Sequence, residues 1–329
     1  MRSFVKYAAP ALSLLFFVLL LADARAAAEA ARSALSLCLE TVLPSLFPFF
    51  VFSSLFVSLG CAEALRRPLA PLMAPLFGVG GAGASALLLG LTGGYPVGAR
   101  VCAELYSGGL CSRSDAERLL AFCNNSGPGF ILGVVGGAVF GSTADGMLLY
   151  LVHVLAALLT GIIMRRGGTR ETFPAKRAAP ARAFAAGRSA EASSGAFINA
   201  VTSSFSGCLG ICGFVLFFSV LLALLRDCGA LAAFAALCSA AGMDKACADA
   251  LSAGLLELTN GAARLSAVTE PRRAFVLAAF LLGFGGLSVH CQALSFIIPA
   301  GLSARPYFVG KCVQAALSAA IAVPASLLM

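Results

Sequence analysis

Charge is what this chain has least of. Only 12% of its 329 residues are Asp, Glu, Lys or Arg, about half the roughly 25% of a soluble domain, too little to cover a water-facing surface. Whole intervals have none. No acidic or basic residue stands between Glu40 and Glu63, Arg67 and Arg100, Arg118 and Asp145, Gly195 and Arg226, or Arg273 and Arg305, nor within Cys312–Met329. Tryptophan is absent and histidine occurs twice, a thin supply of general bases. No glycine precedes Ser126 at nucleophile-elbow spacing and no His-Glu-x-x-His occurs, so a hydrolase built on Ser126 with His153 or His290 is set aside. The 12 cysteines stand singly in apolar sequence. Cys208 and Cys212 share a helical face, but no Cys-x-x-Cys pair exists. No metal or cofactor is expected, and the thiols read as small packing residues. The net charge of +8 lies between apolar stretches rather than in one patch, which argues against a nucleic-acid partner.

What is there in abundance is apolar sequence, 60% of the chain. A membrane span needs about 20 apolar residues, and most of the uncharged intervals are long enough. They lack the polar face that a soluble helix shows every 3.6 residues. The expected fold is therefore an all-α polytopic membrane protein, with the lipid bilayer as its solvent. Seven of the 23 basic residues fall between Arg165 and Arg188, in an Ala-, Pro- and Gly-rich segment that reads as a cytoplasmic loop under the positive-inside rule. Arg2 and Lys6 precede the apolar run Tyr7–Ala22 and the small-residue stretch Ala22-Asp23-Ala24, a signal-anchor-like start whose N-terminus is cytoplasmic if it is not cleaved. Four units follow: an N-terminal helix over 1–32, a first membrane repeat over 33–165, a basic cytoplasmic loop over 166–195 and a second membrane repeat over 196–329.

Glycine and proline break the apolar segments. Pro44 and Pro48 bend the first span. The glycine-rich stretch Gly78–Gly109, with Thr92-Gly93-Gly94-Tyr95-Pro96 at its centre, predicts a re-entrant hairpin rather than a straight span. Ser114 with Glu117 has capping-box spacing and predicts a helix start; that helix is interrupted at Asn124-Asn125-Ser126-Gly127-Pro128-Gly129. The second half echoes the first. Phe49–Ser54 resembles Phe214–Ser219 at an offset of 165, Leu91–Gly94 resembles Leu258–Gly261 at 167, and Leu119–Cys123 with its glycine break resembles Leu277–Leu281 with Gly283–Gly286 at 158. Three matches in one order predict an internal repeat. With a hairpin that does not cross, each repeat has three crossings and the two lie inverted, each with a re-entrant hairpin and a broken transmembrane helix.

Broken helices offer unpaired backbone groups to a polar ligand at the membrane midplane, and here they carry the polar side chains. In the first repeat these are Thr92, Tyr95, Asn124, Asn125 and Ser126; in the second, Glu257, Thr259, Asn260, Ser288, His290 and Gln292. A lone Ser or Thr in such a helix satisfies itself on its own i−4 carbonyl as readily as it binds ligand. Adjacent amides at 124 and 125 point to neighbouring faces, so one must find a partner inside the bundle. Glu257 reads either as the seat of a coupling proton or cation, with His290 near it, or as the partner of Arg264. Arg100 reads as a counter-charge for an anionic ligand or as the partner of Glu104, four residues on. Arg100 and Lys311 both stand as intramembrane cations.

Three motifs carry a resemblance: Gly94-Tyr95-Pro96-Val97-Gly98-Ala99, Phe122-Cys123-Asn124-Asn125-Ser126-Gly127-Pro128, and Gly285-Gly286-Leu287-Ser288-Val289-His290-Cys291-Gln292. Together they resemble the sporulation integral membrane protein YlbJ family, with its nucleoside-recognition Gate domain, itself similar to parts of concentrative nucleoside transporters. The likeness runs from about residue 35 to the end, and the Asn-Asn-Ser-Gly-Pro run is its most specific element. Gly129 and Cys291 depart from it, standing where a bulkier residue and Ala are expected. The resemblance implies movement of a small anionic metabolite, dipicolinic acid, across a forespore membrane. The alternatives are a nucleoside or related solute, or a sporulation membrane assembly protein that transports nothing.

Overall fold

In a computed structural model of the protein, residues 2–165 and 190–329 are described, and among them all regular structure is helical. α1 (Arg2–Ala22) ends at Asp23, whose carboxylate accepts the Ala26 N–H at 3.0 Å and opens α2 (Ala24–Leu37). α2 passes through a π-helical turn, Cys38–Val42, into α3 (Leu43–Ser58). The widening precedes Pro44, whose ring would otherwise strike the carbonyl one turn back. α4 (Cys61–Phe77) leads to the pair α5 (Gly83–Gly93) and α6 (Val97–Ser107), joined by Gly94-Tyr95-Pro96. Next come α7 (Arg113–Cys123), the extended residues 124–128, a π-helical segment Gly129–Val139 and α8 (Thr143–Ile163).

The second half passes through similar elements. They are α9 (Ala190–Asp227), α10 (Ala230–Ala240), the pair α11 (Lys245–Leu256) and α12 (Leu258–Arg264) broken at Glu257, the pair α13 (Pro271–Phe284) and α14 (Gly286–Ile297) broken at Gly285, and α15 (Arg305–Ala325). Among the described residues, four stretches are long and apolar enough to cross a membrane: Thr143–Ile163, Gly195–Asp227, Pro271–Ile297 and Arg305–Leu328. The basic segment expected to form a loop lies outside the described residues up to 189, and from 190 the chain is already in α9.

The expected start of α7 needs correcting. Its N-cap is Ser112, which accepts the Asp115 N–H at 2.9 Å, not Ser114. Glu117 does not reach back to close a capping box; it pairs with Arg113 at 2.8 Å and accepts the Ser303 N–H at 2.9 Å. Spacing alone did not separate two serines lying two residues apart.

α7, α8, α13 and α15 pack together at the centre. Small residues set how closely they approach, as expected where lipid provides no hydrophobic drive between helices. A Cβ on Gly310 of α15 would lie 2.2 Å from the Ala121 carbonyl oxygen of α7, and one on Gly283 of α13 would lie 2.7 Å from Ser318 Oγ of α15. The outward faces are apolar: Leu151, Leu155, Ile162 and Ile163 of α8 are exposed while Leu149, Val152 and Ala156 are buried. An outside this apolar, around an inside that holds buried Asn, Gln, Lys and His, fits lipid rather than water as solvent.

The hairpin α5–α6 lies backbone to backbone on the break after α7. A Cβ at Gly98 would stand 1.9 Å from the Cys123 carbonyl oxygen, and one at Gly94, whose φ is +80°, would stand 3.0 Å from the Gly127 nitrogen. In the second half the same relation recurs. A Cβ at Gly286 would lie 2.6 Å from the Gly254 carbonyl oxygen, so the α13–α14 break rests on α11. Glycine at these positions lets one broken helix reach the next.

Candidate functional site

The breaks put chemistry where a continuous helix would hide it. Pro128 cannot donate a backbone hydrogen bond and Gly127 sits on Gly94, so α7 stops at Cys123 and Asn124 turns extended at φ −91°, ψ 99°. Its freed groups are then used. Asn124 Oδ1 accepts the Ala99 N–H at 3.3 Å, taking up one of the open donors in the first turn of α6. Its backbone carbonyl accepts from Lys311 Nζ at 3.0 Å.

Lys311 is the centre of the arrangement. It stands on α15 with no exposed surface, and Nζ donates to Tyr95 Oη at 2.7 Å, Gln314 Oε1 at 2.7 Å and Asn124 O at 3.0 Å. These three acceptors match the three ammonium protons, and all are neutral. Among the described residues Lys311 forms no ion pair with a carboxylate. Gln314 in turn donates to Asn125 Oδ1 at 2.8 Å, and Asn125 Nδ2 donates to the Phe122 carbonyl at 2.8 Å. Tyr95 hands its own proton to the Leu282 carbonyl at 2.8 Å, tying the first hairpin turn to α13. Tyr307 Oη lies 2.9 Å from His290 Nδ1 and 3.5 Å from Asn124 Nδ2. Two helices, α6 and α14, start beside this cluster without a side-chain N-cap from their own preceding residue, and such N-termini favour negative charge.

The expected residues fall in five places. Tyr95, Asn124, Asn125 and His290 belong to the cluster. Ser126 joins through its backbone, donating its N–H to His153 Nε2 at 3.1 Å; among the described residues its hydroxyl bonds neither histidine. Ser288 and Gln292 pair with each other at 3.2 Å on α14. Arg100 lies apart, bound to Glu104 at 2.8 Å and to Ser203 Oγ at 3.2 Å, with its guanidinium 4.6 Å from the centre of the Phe50 ring. Thr92 is exposed and bonds its own Leu88 carbonyl at 2.9 Å. Glu257 caps α12: Oε2 accepts both the Asn260 N–H and Asn260 Nδ2 at 2.8 Å, and Thr259 beside it is half-buried. Among the described residues Glu257 pairs with neither Arg264 nor His290.

Sequence reasoning left Gln314, Tyr307 and His153 out of the site and set Lys311 aside without partners. A signal was present. Tyr307, Lys311, Gln314 and Ser318 recur at i, i+4, i+7 and i+11, one polar stripe along an otherwise apolar span.

The fold and this buried polar centre define a helical integral membrane protein, and the family described as nucleoside recognition, the Gate family, matches residues 39–164. The sporulation integral membrane protein YlbJ of Bacillus subtilis (strain 168) is 31% identical over 312 residues, covering 90% of this chain and 76% of that protein. The chain belongs to the YlbJ family of sporulation integral membrane proteins. No solved structure matches it.

Proposed function

We propose that the protein is a transporter or facilitator that moves a small anionic metabolite across the membrane, with Lys311 as the cation that receives it. One observation carries this reading: a lysine without exposed surface, held only by neutral acceptors where two helix breaks meet. Burying an ammonium costs several kcal/mol unless a counter-charge offsets it, and among the described residues the protein supplies none. A visiting carboxylate would, and the N-termini of α6 and α14 would add to its stabilisation.

The architecture that goes with this reading is a pair of inverted repeats. α5 and α11 are 11 and 12 residues long, which at 1.5 Å per residue is roughly 17 Å, well short of the roughly 30 Å hydrocarbon layer. Hairpins of that reach enter and return, each half then crosses three times, and the halves lie in opposite orientations. Glu257 spends Oε2 on its helix cap and its Oε1 has no hydrogen-bond partner among the described residues, which leaves that oxygen for a coupling proton or cation.

Dipicolinate, with two carboxylates on a small flat ring, is the anion implied by the family resemblance, and a forespore membrane is where it would act. The deciding experiment is uptake of labelled dipicolinate and of nucleosides by vesicles containing the purified protein. Dipicolinate uptake above that of empty vesicles is expected. Nucleoside uptake alone would replace the anion reading, and uptake of neither would favour the assembly role.

A further inference from the structure

Two clefts that carry hydroxyl and amide side chains open in the wall formed by α2, α3 and α9. The first, of about 770 Å³, lies between the end of α3, with Ser54 and Ser58, and the start of α9, with Asn199, Ser203 and Ser206. The second, of about 330 Å³, lies between α2, with Ser33, and the end of α9, with Ser219 and Arg226, and is closed by Asn260 and Arg264 of α12. α9 borders both. Ser203 and Ser219 are about 24 Å apart along it at 1.5 Å per residue, and the stretch Gly195–Asp227 is long and apolar enough to cross a membrane. The clefts therefore stand toward opposite ends of one spanning helix.

Their linings are also related in part by the internal repeat. The offset of 165 that aligns Phe49–Ser54 with Phe214–Ser219 carries Ser54 to Ser219 and Ser58 to Ala223, from the first cleft into the second. The same offset runs back from Gly195, Asn199 and Thr202 of the first cleft to Ala30, Ala34 and Leu37 of the second. Five of the nine residues lining the first cleft thus have a counterpart in the second at the spacing of the internal repeat.

Each leads toward Lys311. From the first, Ser203 bonds Arg100, the neighbouring Ala99 bonds Asn124, and Asn124 bonds Lys311. From the second, Asn260 bonds Glu257 at the end of α11, and Gly286 packs against Gly254 of α11. The adjoining Gly285 lies against the hydroxyl of Tyr95, which accepts from Lys311. Arg100 stands behind the first cleft on Ser203, and Arg264 lines the second. Arg100 pairs with Glu104 but keeps a buried Nη1 without a hydrogen-bond partner. Arg264 has no ion pair among the described residues, while Glu29 is taken by Arg25 and Arg226 by Asp227.

We propose that the two clefts are the mouths of one route for a small anion, related in part by the internal repeat and opening on opposite faces of the membrane. The proposal rests on the anion-transport reading for its cargo, but its geometry is tested without transport. Ser54→Cys and Ser219→Cys would each be introduced into the full chain, reconstituted in vesicles of known orientation, and treated with a membrane-impermeant maleimide from one side at a time. Site-resolved mass spectrometry separates the new thiols from the exposed native Cys228 and Cys312. Ser54→Cys is expected to be modified from one face and Ser219→Cys from the other, and millimolar dipicolinate to slow both at least several-fold. Modification of both from the same face, or of neither, overturns the proposal. Ser58→Cys and Ala223→Cys are the equivalent pair should either variant fail to fold. Opposite-face modification unaffected by dipicolinate, alongside absent uptake, would remove the cargo and keep the mouths.

Discussion

Replacing Lys311 by methionine is the sharpest perturbation available, because it separates what the residue does for the fold from what it does for a ligand. The variant keeps the length of the side chain and removes the ammonium. Tyr95 loses an incoming bond but still donates to Leu282. The Asn124 carbonyl and Gln314 Oε1 each lose their lysine partner, at about 1–3 kcal/mol for every buried polar atom left unmatched. Against this stands the several kcal/mol no longer spent on holding a charge out of water. The two terms are of similar size, so the midpoint of thermal unfolding in detergent should move by no more than a few degrees. Binding is different, since nothing compensates there. A hydrogen bond to a charged group is worth about 1.5–3 kcal/mol, and at 1.4 kcal/mol per decade dipicolinate should bind roughly 10- to 150-fold more weakly. Uptake by vesicles at subsaturating concentration should fall by the same factor. A folded variant with undiminished uptake would refute the role of Lys311. Parallel loss of folded yield and uptake would mark it as a structural residue.

Gln314→Glu puts a carboxylate in place of an amide oxygen that lies 2.7 Å from Lys311 Nζ and gives up the bond to Asn125 Oδ1, at about 1–3 kcal/mol; the protein should still fold, with a lower thermal midpoint, while anion uptake drops at least tenfold, and unchanged uptake would contradict the counter-charge argument. Gly98→Ala should reduce the yield of monodisperse protein severely, because its Cβ would stand 1.9 Å from a backbone oxygen, whereas Gly129→Ala, with open space around it, should leave yield unchanged in the same chromatographic assay. Glu257→Gln keeps an oxygen for the Asn260 N–H that caps α12 and removes the charge, so the pH profile of uptake should flatten while the protein stays folded; a profile identical to that of the unaltered protein would exclude coupling at this residue.

The breaks were the most legible part of this fold. Gly94-Tyr95-Pro96 and Asn124–Pro128 interrupt helices in the structure where they do in the sequence, because glycine and proline act through their own backbone, whatever surrounds them. Uncharged intervals pointed to spanning helices for the same local reason. What could not be read was which polar side chains face one another. Thr92 sits at a break and yet turns outward to the Leu88 carbonyl one turn back. Arg100, whose spacing allows either a ligand or Glu104, pairs with Glu104. Lys311 meets Tyr95 and Asn124 from 216 and 187 residues away, a separation that no window along the chain spans. Its local signature, the stripe from Tyr307 to Ser318, has helical spacing but says nothing of what lies opposite.

The choice of partners around Lys311 bears on how such a centre can work. A carboxylate would settle the ammonium permanently and close the site to any other anion. Amide and hydroxyl oxygens hold it in place through three bonds and leave its charge uncancelled. The amides also spend their second ends on the framework: Asn124 on the start of α6, Asn125 on the Phe122 carbonyl, Gln314 on Asn125. Every group that touches the cation is thereby tied to a helix break. Neutralising the charge with an incoming anion would weaken the ammonium's hold on these oxygens, which the framework holds at the helix breaks. On the proposed reading, binding and any rearrangement would be linked through these same bonds.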